Sequence, residues 1–389
     1  MQAELSRRDF LRGGGILASH AVVGSSLFSL GCDLTFFGPL LPPDENGIRL
    51  PEGFRSRVLA RSGDVVPDTG FVWPLAPDGG ACFEDGAGWI YVSNSELRTG
   101  GGVGALRFDR EGRIVDAYAI CTGTRRNCAG GATPWNTWLS CEEVRGGQVF
   151  ECDPYGERNQ IPRPSLGSFQ HEAVAADPED RRFYLTEDEL DGRLYRFTPN
   201  GWGSVETGLL EVAEVFAGGR VRWHEVPEPN PVGFMTPTRR QVPASTPFRG
   251  GEGIAWDRGH VYFTTKFDNR VWDLDVAAQT IRIVYALATD PLDQLSGVDN
   301  VAVTPGGNIL VAEDGGNMEI VMLTTDGLAL PLLRVVGQNR SELAGPAFSP
   351  RADRLYFSSQ RGPDGRGITY EVLGPFSMIR HRSLVRGAF

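Results

Sequence analysis

The chain has 389 residues, 41% of them hydrophobic and 22% charged, and a net charge of −11. That length allows one large β-domain or two ordinary ones, and the composition is that of a soluble globular protein. An acidic chain with no basic run and no zinc-finger spacing excludes nucleic acid as a partner. With 50 glycines and 26 prolines the fold is rich in turns.

The N-terminus reads as a targeting signal over residues 1–32. Ser6-Arg7-Arg8-Asp9-Phe10-Leu11 has the form of a twin-arginine motif, and a weakly apolar, glycine-containing segment follows. Ser29-Leu30-Gly31-Cys32 stands where a lipoprotein box would lie, so lipidation of Cys32 and cleavage nearby both remain open. The expected location is outside the cytoplasm: periplasmic, cell-surface or secreted. A lipid on Cys32 is the only membrane link foreseen, and the chain is expected to be a monomer. Five further cysteines remain, and an odd number in an exported protein leaves at least one free or bound to metal. Cys121 and Cys128 are near enough in sequence to suggest a disulfide.

From residue 45 to 385 the chain reads as one domain. Six segments share one form: WIYVSNSE (89–96), NTWLSCEE (136–143), RRFYLTED (181–188), HVYFTTKF (260–267), NILVAEDG (308–315) and RLYFSSQR (354–361). Each is a β-rich run ending in hydroxyl or acidic residues. A hairpin partner follows most of them across a Gly, Asp or Asn turn. A short strand of small and apolar residues precedes each, ending at Asp85, Pro134, Asp177, Asp257, Pro305 and Pro350, with spacings of 49, 43, 80, 48 and 45. One propeller blade per repeat explains all but the long gap. That gap, 203–250, contains PEPNPVGFMTPTRRQVPAS and reads as a Pro-rich insertion over one face; a degenerate seventh blade is the other reading. Residues 45–75 are expected to give an outer strand that helps close the ring. The fold class is therefore all-β, a six-bladed β-propeller with a Pro-rich insertion.

Aligned this way, the inner strands begin with a ring of Gly80, Ala129, Glu172, Glu252, Asn300 and Gly345. The ring before it holds Cys128, His171 and Asp299. The second strands end in Asn94, Cys141, Glu187, Thr265, Glu313 and Ser359, followed by Ser95, Glu142, Asp188, Lys266, Asp314 and Gln360. Carboxylates crowded around one narrow channel repel one another unless cations sit among them. The acids and Asn300 suit a hard cation such as Ca²⁺, and a thiolate among them suits a transition metal. His171 is either a ligand or a satisfied channel histidine.

NCAGGATPWNTWLSCEE, SLGSFQHEA, YLTEDELDGRLYRF, GGEGIAW and GVDNVAVTPGGNILVAEDG resemble the PhoX family of secreted alkaline phosphatases over about residues 70–362, and the chain looks like a shorter member. The resemblance implies a propeller exported by the twin-arginine route, with a pair of Fe³⁺ ions and several Ca²⁺ ions in the channel. Carried over motif by motif, it makes Cys141, Glu172 and Glu252 the iron-ligand candidates. Glu142, Glu143, Glu187, Asp188, Asp299, Asn300, Glu313 and Asp314 become calcium or supporting candidates. Three motifs depart from the family: Ser168 stands where an arginine is usual, Arg249 is displaced relative to Glu252, and the first-blade N-H-E stretch reads Asn94-Ser95-Glu96, without the histidine. Arg249 and Arg361 are the candidates for binding a substrate phosphate. The implied activity is hydrolysis of small phosphate monoesters by a metal-dependent hydrolase. A calcium-dependent lactonase and a non-catalytic, metal-braced binding propeller are the alternatives, and fold alone does not separate them.

Overall fold

A computed structural model describes residues 37–290, 294–324 and 327–376. The twin-arginine segment, Cys32 and residues 377–385 lie outside the described residues. Strands form six antiparallel sheets in chain order. The innermost strands are Pro77–Asp85, Asn127–Ala132, His171–Asp177, Gly251–Asp257, Val298–Val303 and Leu343–Phe348, one for each of blades 1 to 6. Each packs against the next and the sixth against the first, so the ring is closed. Among the described residues the one α-helix is a single turn, Thr238–Gln241.

Ring closure is made by the N-terminal part of the propeller. Ile48–Arg49 adds an outer strand to blade 5 against Ala329–Val335, and Arg55–Arg61 adds one to blade 6 against Ile368–Leu373. The expected outer strand is therefore two strands in two blades. Such pairing covers edges that would otherwise present unpaired backbone.

The long gap in the repeat holds no seventh blade. Gly208–Val215 and Val221–Glu225 are the fourth and fifth strands of blade 3, and only residues 226–250 leave the sheet. The excursion is tied down at Arg239, which bridges Glu187, Glu189 and Asp191 at 3.1, 2.9 and 3.0 Å.

Between blades the packing is apolar and aromatic. Leu139, Cys141 and Val149 of blade 2 meet Val174, Phe183 and Tyr195 of blade 3 in one cluster. The expected Cys121–Cys128 pairing does not occur. Cys121 and Cys152 pack together in the cluster joining blades 1 and 2. A hydrogen bond from Cys152 holds the Cys121 thiol below its ordinary value. Cys128 turns toward the channel instead.

Candidate metal centre in the channel

Every inner strand carries a bulge near its start. In blade 2, Asn127 pairs with Glu142 and Gly130 with Ser140, so three steps on one strand match two on the other. The same slip occurs at Pro77/Gly80, His171/Val174, Gly251/Ile254, Val298/Val301 and Ala344/Ala347. A bulge frees a residue from the ladder and re-aims its side chain. The re-aimed residues are Asp78, Cys128, Glu172, Glu252 and Asp299 in blades 1 to 5, and Gly345 in blade 6. After Asp78, Cys128, Glu172 and Glu252 the next residue is glycine or alanine, because the neighbouring inner strand lies close. A Cβ on Gly79 would lie 2.5 Å from the Ala129 Cα, and one on Gly253 2.6 Å from the Asn300 Cα.

This ring corrects the alignment drawn from the sequence. Asp78 and Cys128 take the places assigned to Gly80 and Ala129, and Asp299 takes that of Asn300. Asn300 is engaged on both sides: its Nδ2 donates to Asp299 Oδ1 at 2.8 Å, and its Oδ1 accepts from the Gly345 N–H at 2.6 Å. It positions Asp299.

The second strands show two rings of opposite character. In line with the first residue of each inner strand stand Glu142, Glu187 and Glu313. All three clasp their own blades. Glu142 accepts from the Arg125 and Gln148 N–H groups at 2.9 and 3.2 Å, and Glu313 from Ser296 and Glu319 at 3.0 and 2.9 Å. Glu187 accepts from the Tyr195 hydroxyl at 2.8 Å and pairs with Arg239. Burial raises Glu187 and Glu313 to about 7, against the pull of these donors. None of the three belongs to the carboxylate cluster.

One residue further on, Glu96, Glu143, Lys266 and Asp314 face a cavity of about 340 Å³ with Cys128, Glu172, Glu252, Asp299, Glu342, Arg126 and Arg361. Seven carboxylates there face three cations. Asp188 reaches the same space through Lys266, whose Nζ lies 2.7 Å from Asp188 Oδ2 and 2.6 Å from Glu252 Oε1. Those two acids keep the lysine charged despite its burial.

Cys141, expected as the iron thiolate, sits in the apolar layer between blades 2 and 3, fully buried. Burial alone pushes its thiol well up. Cys141 pairs with Val149 inside the hairpin, and its side chain packs with Leu139, Val149 and Val174 in that layer. The thiol among the carboxylates is Cys128, with Sγ 3.2 Å from Glu172 Oε1 and 3.7 Å from Asp78 Oδ2. Arg249 is exposed and does not line the channel. Arg361 does, paired with Glu96 and 3.8 Å from Glu342. Arg126 was not foreseen. It holds a left-handed φ of 43° and reaches Glu96 and Glu143 at 3.5 and 3.7 Å. His171 Nε2 donates to the Gly167 carbonyl, 3.0 Å away, and burial lowers the ring to about 4, so it stays neutral within the blade.

Three sets of side chains bring their ligand atoms within 4.8 Å of one another: Cys128, Glu143 and Glu172; Asp78, Glu96 and Glu342; and Glu172, Glu252 and Asp299. Glu172 Oε2 and Gln360 Oε1 are buried without a hydrogen-bond partner. Burial first, then mutual repulsion, raises Asp78, Glu143, Glu172, Glu252, Asp299 and Glu342 above the usual carboxylate range. Orphaned acceptors in an acid-rich cavity fit bound cations. The thiol-bearing set fits a transition metal, and the all-carboxylate sets fit a hard cation.

The fold and this channel define a class: six-bladed propellers whose axis is lined by carboxylates. The sequence profile of the family described as alkaline phosphatase PhoX matches residues 92–148 and 145–283, and the chain is a member of the PhoX family. No curated protein sequence matches the chain. A gluconolactonase from Xanthomonas campestris has a similar structure, with a TM-score of 0.52 at 13% identity over 87% of this chain and 98% of its own. A protein of unknown function from Bacteroides thetaiotaomicron has a TM-score of 0.53 at 9% identity over 82% of this chain and 76% of its own. At such identities the likeness is one of fold.

Proposed function

We propose that the channel is the active site of a metal-dependent phosphatase acting on phosphate monoesters, with the cations held by the three acid sets. The observation that carries this is Cys128 beside Glu143 and Glu172 in a cavity where carboxylates outnumber cationic side chains. Family membership supports the phosphatase class. Iron at the Cys128 set and calcium at the all-carboxylate sets are the cofactors proposed. When bound, they supply positive charge against the phosphoryl oxygens and acidify water to a pKa of about 7.

The chain's own residues do the rest. Arg126 and Arg361 reach the cavity from opposite sides of Glu96 and offer planar donors to a phosphate entering it. Their carboxylate partners hold them in place and compete with the ligand. Lys266 fixes Asp188 and Glu252 relative to each other. The left-handed Arg126 stands where the Leu97 carbonyl accepts its N–H at 2.6 Å and its own carbonyl accepts the Glu143 N–H at 2.8 Å. That backbone link ties an anion-binding arginine to a candidate ligand.

Elemental analysis of purified protein, with wild type beside Cys128→Ala and Cys141→Ala, tests the reading together with phosphate release from a monoester. Iron lost with Cys128 and kept without Cys141 is expected. Calcium alone, unchanged in the Cys128 variant, with no phosphate release would overturn it. A calcium-only site has no use for the thiol, so Cys128 weighs against the lactonase alternative.

A further inference from the structure

The Pro-rich excursion builds a second cavity, of about 560 Å³, against the channel. Its walls come from the turn after the second strand of blade 2 (Arg145, Gly146), the segment leading into blade 3 (Ser168 to Gln170) and the excursion itself (Pro231 to Arg240). Gln170 separates the two spaces. It lines this cavity, and its Nε2 donates at 3.1 Å to Oε1 of Glu143, which lines the channel. Arg126 lies 3.7 Å from the other oxygen of Glu143, so the two spaces adjoin beside the candidate phosphate site.

The chemistry of this cavity differs from that of the channel. Phe169, Pro231, Pro237 and Met235 give it apolar walls. Phe169 is held rigid by stacking on Tyr195, with ring centroids 4.3 Å apart. Met235 is 48% exposed, and its sulfur accepts from the Val232 N–H at 3.5 Å. Of the guanidinium groups, Arg239 and Arg240 are bound to Asp191, and Arg239 also to Glu187 and Glu189. Arg145 is exposed and, among the described residues, has no hydrogen-bond or ion-pair partner. A planar cation, a thioether and proline edges around one slot suit a flat ring. The volume is that of a site for a small organic molecule.

We propose that this compartment receives the ring of an aromatic phosphomonoester, aryl or nucleoside, and that Arg145 and Met235 are specificity-determining residues. The inference rests on the phosphatase reading. Small alkyl esters, whose organic part stops at Gln170, do not use the compartment.

The test compares Arg145→Ala and Met235→Ala with the metal-loaded wild type on 4-nitrophenyl phosphate and on glycerol phosphate. Each variant is expected to raise KM for the aryl ester roughly threefold to tenfold, the worth of one cation–π or sulfur–ring contact, with kcat held. Both constants for glycerol phosphate should stay at the wild-type values, as should the melting midpoint, since both side chains are exposed. Equal effects on the two esters, or none on either, would overturn the compartment while leaving the phosphatase reading intact. A wild type that hydrolyses neither ester would sink that reading and the inference with it.

Discussion

Glu142 and Glu143 are adjacent, and the structure uses them in opposite ways. Glu142, like Glu187 and Glu313, is closed in by donors from its own blade. Glu143, like Glu96 and Asp314, faces a cavity crowded with other acids. One ring of carboxylates is enclosed by donors and holds the blades in shape; the next faces other acids across the cavity and is available for cations. The difference is set by a single step off the strand end: Glu142 and Glu313 are the last residues of their strands, and Glu143 and Asp314 are the first beyond them.

Variants that interchange these roles test the comparison. The largest effect on folding is expected from Glu187→Ala. It removes the shorter of the two hydrogen bonds of the buried Tyr195 hydroxyl and weakens the anchor of the excursion, so it should cost about 3 kcal/mol, or about 4 °C in melting midpoint. Metal content should be unchanged, and loss of metal without loss of stability would reverse the assignment. Glu172→Gln should do the opposite. Phosphate release should fall about a hundredfold or more through loss of metal, while the metal-free protein melts no lower than metal-free wild type, because a source of repulsion has gone. Chelation of wild type should lower the midpoint, and readdition of metal should restore it, by the mass-action stabilisation of a native-state ligand. Glu142→Gln should leave metal content at the wild-type level.

A smaller effect is expected from Arg126→Ala, which should raise KM about tenfold for every monoester with stability unchanged, as removal of one charged phosphate contact requires. The smallest concerns pH. Burial would raise Glu151, but Trp135 Nε1, the Thr137 hydroxyl and Arg163 Nε, at 2.9, 2.7 and 2.6 Å, hold it below the ordinary value. A carboxyl lowered in the folded state contributes stability above its unfolded pKa and loses it as pH falls through the folded one. Glu151→Gln should therefore be less stable than wild type at neutral pH, and the gap should narrow on acidification. A gap independent of pH would show that the donors favour no charge.

Much of the fold was legible. Six segments with one pattern, spaced near one blade each, gave the blade count because each blade must bury its own hydrophobic faces against its neighbours. The crowding of acids was legible for the same reason. The register was not. Anchoring the repeat on the outer ends of the inner strands carried their unequal lengths into the channel, where Asp78 lies seven residues before Asp85 and Glu172 five before Asp177. That slip set Cys141 where Glu142 stands and passed over Asp78 and Glu96, and the family's CEE motif then made Cys141 the iron candidate. An acid or cysteine followed by glycine or alanine, as in Asp78-Gly79, Cys128-Ala129, Glu172-Ala173 and Glu252-Gly253, was the available signal. It marks a bulge whose next residue must be small. Arg126 carried no such mark, since its left-handed backbone and its contacts come from chain separated in sequence.

The two outer strands near the N-terminus set the order of assembly. Ile48–Arg49 and Arg55–Arg61 have partners only in Ala329–Val335 and Ile368–Leu373. A ribosome adding roughly 5–20 residues per second delivers those partners last, so the first strands wait through most of translation without a mate. Sealing two blades is then a long-range event late in folding, which topology makes slow. Until it happens the channel has a gap between blades 6 and 1, and the acids on either side, Asp78 and Glu342, are not yet facing each other. The cation site they share is thus a property of the finished ring, and capture of its ion reports that the chain has closed.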